Sequence, residues 1–185
     1  MSSTFNVTFT HDENDYLDQQ LYVATQSKQI VQRRQRGKLL IPVFSLVMIG
    51  IQFYQKQYIQ TLYFLGIAIA WFFLYPLWEK RHYLKFYKKF ISDNFKDRFH
   101  KETSVEFKAN SLVAKDDTTS GEINYSEIDK IIEIQSSYYI KLKSSAYLIF
   151  PKDKTKDMNT LHEAFTFLKE KHAIPFSSEI NWIWK

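Results

Sequence analysis

Between Lys38 and Glu79 the chain carries a single charged residue, Lys56. It divides the segment into two uncharged runs, Leu39 to Gln55 (17 residues) and Gln57 to Trp78 (22 residues). A helix that crosses a bilayer needs about 17–25 mostly apolar residues, so both runs qualify. As one helix, Leu39 to Trp78 would extend about 60 Å at 1.5 Å per residue. That is about twice the 30 Å hydrocarbon thickness, and mismatch of that size is unfavourable. A long soluble helix needs a polar face, and none exists between Ile59 and Leu77. The lengths predict a hairpin with spans over 39–55 and 58–78, turning at Gln55-Lys56-Gln57.

The flanks orient it. Lys28, Arg33, Arg34, Arg36 and Lys38 precede the first span, and Lys80, Arg81, Lys85, Lys88 and Lys89 follow the second, whereas the turn holds Lys56 alone. Basic residues in short loops stay on the cytoplasmic side, which predicts that both termini are cytoplasmic in a multi-pass protein of a cell membrane. Tyr54 and Tyr58 near the turn, and Trp71, Tyr75 and Trp78 toward the other end, suit the two interfaces. Neither span contains a charge, which weighs against an ion or proton pathway. Gly66 and Ala70 form a small-xxx-small pair that admits close helix approach, or are simply small residues facing lipid.

Several chemistries are excluded. Cysteine is absent, so disulfides, thiolate metal sites and cysteine nucleophiles are ruled out. His11, His82, His100, His162 and His172 have no metal-binding spacing, and four glycines form no phosphate-binding loop. No cofactor is expected. Acidic residues precede the first apolar run, unlike a cleavable signal. Residues 28–98 hold thirteen basic residues against three acids, so the net charge of +5 belongs to the membrane flanks. A nucleic-acid binder would place it on the folded domain, so no nucleic-acid partner is expected.

The remaining segments change period. Phe5, Val7 and Phe9 alternate with polar residues, as in a half-buried strand. Thr10 and Glu13 fit a capping box, and Leu17, Leu21, Ala24 and Val31 continue on one helical face. Residues 79–99 interleave Tyr83, Phe86, Tyr87 and Phe90 with lysines and read as a basic juxtamembrane helix. From 103 the period becomes two, with strands expected at 103–109, 111–115, 121–125, 130–135, 138–143 and 146–150, an antiparallel meander. Met158, Leu161, Phe165 and Leu168 then fall at helical spacing, with Asp153 or Thr155 as cap candidates. The expected division is therefore 1–38 (strand and amphipathic helix), 39–78 (hairpin), 79–99 (basic helix) and 100–185 (a curled sheet plugged by its C-terminal helix).

The order of these segments, ending in "GEINYSEIDKIIEIQSSYYIKLKSSAYLIFPK", resembles YcxB-like proteins and their C-terminal domain. The carrying pattern is a glycine-led strand, the Tyr125 to Ile128 turn, a tyrosine strand and a final strand ending in Pro151-Lys152. The resemblance implies a bacterial, membrane-anchored protein of unassigned activity whose domain is similar to pleckstrin-homology-like folds, giving an α+β membrane protein overall. It carries over no functional residue.

Three functions compete. The first is a membrane-tethered binding or scaffold module that holds a protein, peptide or lipid near the inner leaflet. The second is an oligomeric pore or transporter-associated subunit, which uncharged spans disfavour. The third is an enzyme built from His100, Glu102, Glu106, Asp116, Asp117 and Glu122, although carboxylates on strand faces and loops are usually solvated, so no catalysis is expected. The partners expected are the lipid bilayer and a protein or further copies of the chain. Candidate anionic-lipid contacts are Lys80, Arg81, Lys85, Lys88 and Lys89, with Lys152, Lys154 and Lys156 in a second group, where each basic residue at such a surface contributes about 1 kcal/mol. The plain alternative for the second group is a solvated lysine loop. The loops expected to face a partner are Asp116 to Gly121 and Lys152 to Lys156.

Overall fold

A computed structural model of the chain describes residues 4–116 and 120–184. The elements run β1 (Phe5–Thr10), α1 (Glu13–Gln26), α2 (Lys28–Tyr54), α3 (Tyr58–Phe95), β2 (Glu102–Phe107), β3 (Ser111–Lys115), β4 (Ser120–Asn124), β5 (Ile128–Glu133), β6 (Ser137–Leu142), β7 (Tyr147–Pro151), α4 (Met158–His172) and β8 (Phe176–Ser178). They form two compact units. The sheet unit joins the chain up to Gln19 with Ile91–Ile183, and the helical unit joins Gln20–Phe90 with Trp184.

In the sheet unit, β1 finds the partner that its alternating pattern requires. It lies antiparallel to β2, with Phe5 opposite Phe107, Val7 opposite Val105 and Phe9 opposite Thr103. The strands order as β1-β2-β3-β4 in one sheet and β7-β6-β5-β8 in the other. The first edge of one sheet meets the first edge of the other, through a bridge between Phe9 and Thr155 and through the Lys156 N–H, which donates to the Thr8 carbonyl at 3.0 Å. Val7, Phe107, Leu112, Ile131, Ile140 and Phe150 face a common core, and Leu161, Phe165 and Leu168 of α4 close it. The Phe165 ring lies edge-on to Phe150 and Phe107, with centroids 5.7 and 6.5 Å away. Truncating one such side chain to alanine typically costs about 2–5 kcal/mol.

Local chemistry corrects the expected boundaries. The cap of α1 is Asp12, not Thr10. Asp12 Oδ1 accepts from the Asn14 and Asp15 N–H groups, while Asp15 Oδ2 accepts from the Asp12 N–H at 2.7 Å. A carboxylate is the better acceptor beside a helix N-terminus, whose partial charge is positive. Asp157, rather than Asp153 or Thr155, caps α4, since it directly precedes the first turn and the Thr160 N–H donates to it. The helix ends at Ala173 in the left-handed conformation, φ 52°. The sheets are not wholly antiparallel. After α4 the chain adds β8 parallel to β5, a strand of three residues too short to show a period.

The helical unit holds α2, α3 as far as Phe90 and the end of α1. α1 does not continue into the first span; Ser27 intervenes as the cap of α2, its Oγ accepting from the Ile30 N–H at 3.4 Å. The reversal falls at Gln55-Lys56-Gln57. There the Gln57 N–H bonds the Gln52 carbonyl at 2.9 Å and the Lys56 N–H bonds the Phe53 carbonyl at 3.0 Å, with Lys56 at φ 62°. This is a Schellman ending, usually made with glycine at the left-handed position. The expected separate helix over 79–99 is not separate. α3 runs unbroken from Tyr58 to Phe95, because its inward stripe Trp71, Tyr75, Glu79, Tyr83, Tyr87 and Ile91 keeps one helical period past the apolar run.

Close packing of the two long helices occurs at Gly37, not at Gly66. A Cβ on Gly37 would collide with the Tyr75 hydroxyl, and the Trp71 Nε1–H reaches the Gly37 carbonyl at 3.4 Å. Nothing lies within 4 Å of where a Cβ on Gly66 would be.

Candidate functional site

The base of the hairpin holds a charge pair that the uncharged spans do not announce. Arg34 Nε of α2 sits 3.1 Å from Glu79 Oε2 of α3, with 22% and 8% of the side chains exposed. The Tyr75 hydroxyl donates to Glu79 Oε1 at 3.4 Å. The guanidinium also lies under the Trp184 ring at 4.4 Å and beside the Tyr83 ring at 5.7 Å. A cation facing an aromatic is favourable by roughly 0.5–2 kcal/mol, more as water is excluded. The sequence does carry a signal for this pair, since Glu79 is the sole acid between Asp18 and Asp93.

Lys80, Arg81, Lys85, Lys88 and Lys89 are all exposed on α3, and among the described residues none meets a carboxylate at ion-pair distance. A straight helix places Lys80 and Arg81 about 3 and 4.5 Å beyond Trp78, Lys85 about 10 Å beyond it, and Lys88 and Lys89 about 15–16 Å beyond it.

Lys152, Lys154 and Lys156 differ, because each is engaged by carboxylates of its own unit. Lys152 Nζ donates to Glu133 Oε1 at 2.8 Å and lies over the Tyr138 ring at 4.6 Å. Lys156 pairs with Glu102 at the surface. Lys154 Nζ reaches Asp15 Oδ1 at 3.0 Å, Asp12 Oδ2 at 3.2 Å and Asp153 Oδ1 at 3.4 Å. Around it opens a polar cavity of about 290 Å³ lined by Asp12, Asp15, Asp18, Ser136, Lys152 and Asp153, among others. Ser136 Oγ donates to Asp18 Oδ2 at 2.8 Å across its wall.

Burial and pairing set the protonation of this cluster. Burial pushes the Asp15 carboxyl up, outweighing the Asp12 N–H and the Lys154 ammonium. Burial also acts to raise Asp12, but the Asp15 N–H and Lys154 together hold it below the usual range. Burial alone would lower Lys154, and its hydrogen bonds to Asp15 and Asp12 raise it instead. His11 adjoins the cluster, with Nε2 3.1 Å from the Ile149 carbonyl, and burial pushes its pKa down. The Tyr138 hydroxyl, 3.0 Å from His162 Nε2, is pushed up to about 12 by burial and by Glu133.

The carboxylates named as enzyme candidates stay apart. Glu102 pairs with Lys156, and Glu122 Oε1 accepts from Ser111 Oγ at 2.6 Å. Glu106 and Glu122 flank Val113 in one cross-strand row, so two strand spacings, about 10 Å, separate their backbones. His100 is exposed at the turn into β2, and Asp117 lies outside the described residues. Among the described residues no group of three or more His, Asp or Glu side chains is arranged to hold a metal ion.

The segment that runs from the end of β2 through β7 to the start of α4 thus contains β3 to β7, Tyr138 and the lysine loop beside the cavity. Residues 107–158 match the family model of the YcxB-like proteins. The YcxB-like segment covers five of the eight strands and leaves β1, the hairpin and most of α4 outside the match. No curated protein and no solved structure matches the chain.

Proposed function

We propose that this chain is a membrane-anchored binding or scaffold module. Its hairpin crosses a bacterial cell membrane twice with both termini in the cytoplasm, and its sheet unit is a pleckstrin-homology-like domain held near the inner leaflet. The carrying observation is the exposure of the two apolar helices, of whose most apolar windows only 6% and 0% is buried. About twenty large apolar side chains from Leu39 to Trp78 are exposed. Each is worth about 1.5–3 kcal/mol when fully buried, so even partial exposure of the set to water exceeds the 5–15 kcal/mol stability of a typical domain. Lipid removes that cost without a protein partner.

The strand order supports the domain reading. A four-strand meander (β1–β4), a three-strand meander (β5–β7) and a closing helix (α4) follow one another as in pleckstrin-homology-like folds, with the hairpin inserted in the first strand connection. The apolar faces are occupied by the core and α4, which leaves the exposed outer edge of β4 for a partner strand. Anionic lipid contact is assigned mainly to Lys80 and Arg81. The headgroup layer adds about 5–7 Å on each side of the hydrocarbon, so Lys85 lies about 3–5 Å outside it, and Lys88 and Lys89 lie about 8–11 Å outside it, at the limit of a screening length of about 8–10 Å. The ion pairs of Lys152, Lys154 and Lys156 leave little free charge in that loop for lipid.

The absence of native cysteine makes the topology directly testable. An impermeant thiol reagent applied to intact cells should label Lys56→Cys and spare Ser120→Cys until the membrane is opened. Labelling of Ser120→Cys in intact cells would overturn the reading. For the module itself, proteoliposomes should show no ion flux above empty vesicles.

A further inference from the structure

We propose that the outer edge of β4 takes, by strand addition, an extended cytoplasmic segment of a membrane protein that sets a lysine or arginine opposite Glu122, with apolar residues on either side of it. The inference rests on the reading of the chain as a membrane-anchored module and names the class of partner for it.

Among the described strands, β4 ends the first sheet and pairs with β3 alone. Native sheets blunt such edges with proline, lysine or a bulge. β4 has neither proline nor lysine, its register with β3 runs without a shift, and four of its five residues are exposed. The other sheet ends differ. β1 and β7 meet through the Phe9–Thr155 bridge, and β8 has only three residues, directly behind Pro175. The Tyr125 N–H donates to the Asn110 carbonyl at 3.1 Å, which fixes the phase of the β3–β4 ladder. Bonded pairs alternate along an antiparallel ladder. Gly121 and Ile123 therefore turn their backbone groups to β3, whereas the Glu122 N–H and carbonyl and the Asn124 N–H turn to the open edge.

The side chains along that edge specify the partner. Glu122 is exposed on the outer face, in one row with Val113 and Glu106. Ile123 faces the other way and packs against the core, opposite the fully buried Leu112. A partner strand of the same period presents a cation beside Glu122 and apolar residues beside Ile123, and cross-strand pairs of both kinds are favourable. Lys115 is the only cation of β3 and β4, and it stands opposite Ser120, two residues along the ladder. A second copy of β4 does not fit. The antiparallel register that overlaps the whole strand sets Glu122 against its own copy, and like charges directly opposite are destabilising. Cytoplasmic segments beside membrane spans are rich in lysine and arginine, so a module tethered at the inner leaflet meets partners of the required charge.

The test uses the full chain in nanodiscs of phosphatidylcholine, which carry no net charge. Two fluorescent peptides rich in valine and threonine serve as probes, identical except for a central arginine in one and a central glutamate in the other. Binding is read by anisotropy and by amide hydrogen exchange in β4. Expected is tighter binding of the arginine peptide, with exchange slowed at Glu122 and Asn124. Asn124→Pro removes an outward N–H, and the Asn124 φ of −70° already suits proline, so the fold should be kept. Binding to that variant should weaken about tenfold. Glu122→Lys leaves the backbone intact and should reverse the preference toward the glutamate peptide. Equal binding of the two peptides, undiminished binding by Asn124→Pro, or no binding overturns the proposal. A native dimer that Asn124→Pro converts to a monomer in sedimentation would assign the edge to a second copy and overturn it as well. Such a result with Ser120→Cys protected in intact cells strikes this inference alone, whereas labelling of Ser120→Cys there removes the membrane reading with it.

Discussion

Replacing Lys154 by glutamine should destabilise the sheet unit far more than the same change at Lys156, although both lie in one lysine-rich loop. The Lys154 ammonium touches three carboxylates, and the Asp15 side chain is only 6% exposed. Breaking a buried ion pair by removing one partner costs about 3–5 kcal/mol, and an exposed pair is worth about 0–1 kcal/mol. Because 24% of Lys154 reaches solvent, the expected loss is intermediate, about 1–3 kcal/mol. For a unit of this size that corresponds to a lowering of Tm by roughly 5–15 °C. Lys156 and Glu102 are 68% and 55% exposed, so Lys156→Gln should change stability by no more than about 0.5 kcal/mol. The assay is urea unfolding of the full chain in detergent, followed by near-UV circular dichroism, with Asp15→Asn as the second arm of a double-mutant cycle. In the Lys154→Gln chain, burial leaves the Asp15 pKa raised in the folded state with no ammonium to oppose it. A group raised on folding favours the folded state below its unfolded pKa and loses that contribution as pH rises, so the cost of Lys154→Gln should be smaller near pH 4 than at pH 7. Equal losses at Lys154 and Lys156, or no coupling between Lys154 and Asp15, would refute the reasoning.

Other outcomes follow from single positions. Gly37→Ala should loosen the hairpin base, since the added Cβ displaces the Tyr75 hydroxyl that reaches Glu79; cysteine cross-linking between α2 and α3 should slow, and an unchanged rate would argue against the close approach. Ala173→Gly should raise the free energy of unfolding by about 0.5–1 kcal/mol, read as a higher urea midpoint, because only glycine adopts the left-handed α4 terminus without strain. Burial lowers the folded-state pKa of His11, so its contribution is present above the unfolded value of about 6.5 and should be lost as pH falls below it. Thermal melts from pH 7 to pH 5 should show a loss of stability that His11→Gln reduces; an identical slope in the variant would count against it.

The sequence alone determined what depends on composition over a length. Two uncharged runs around Lys56 set the hairpin and its turn, because charge and helical rise act residue by residue. The alternation at Phe5, Val7 and Phe9, the strands after residue 102 and the helical spacing from Met158 were legible for the same reason. The YcxB-like segment was legible as a resemblance, carried by the glycine-led strand, the Tyr125 to Ile128 turn, the tyrosine strand and the ending at Pro151-Lys152. Caps shifted by two to four residues, since several neighbouring acceptors compete and geometry selects the carboxylate nearest the first turn.

Tertiary structure alone decided which residues meet. Lys152, Lys154 and Lys156 look alike in sequence, but their partners come from β5, the start of α1 and β2, more than fifty residues away for the last two. The Arg34–Glu79 pair and the seat of Trp184 join positions that no local period links. The parallel pairing of β8 and the single run of α3 through Phe95 likewise arise from packing. Local patterning fixes the direction in which a side chain faces, whereas the identity of its neighbour is set only when distant segments close around a common core.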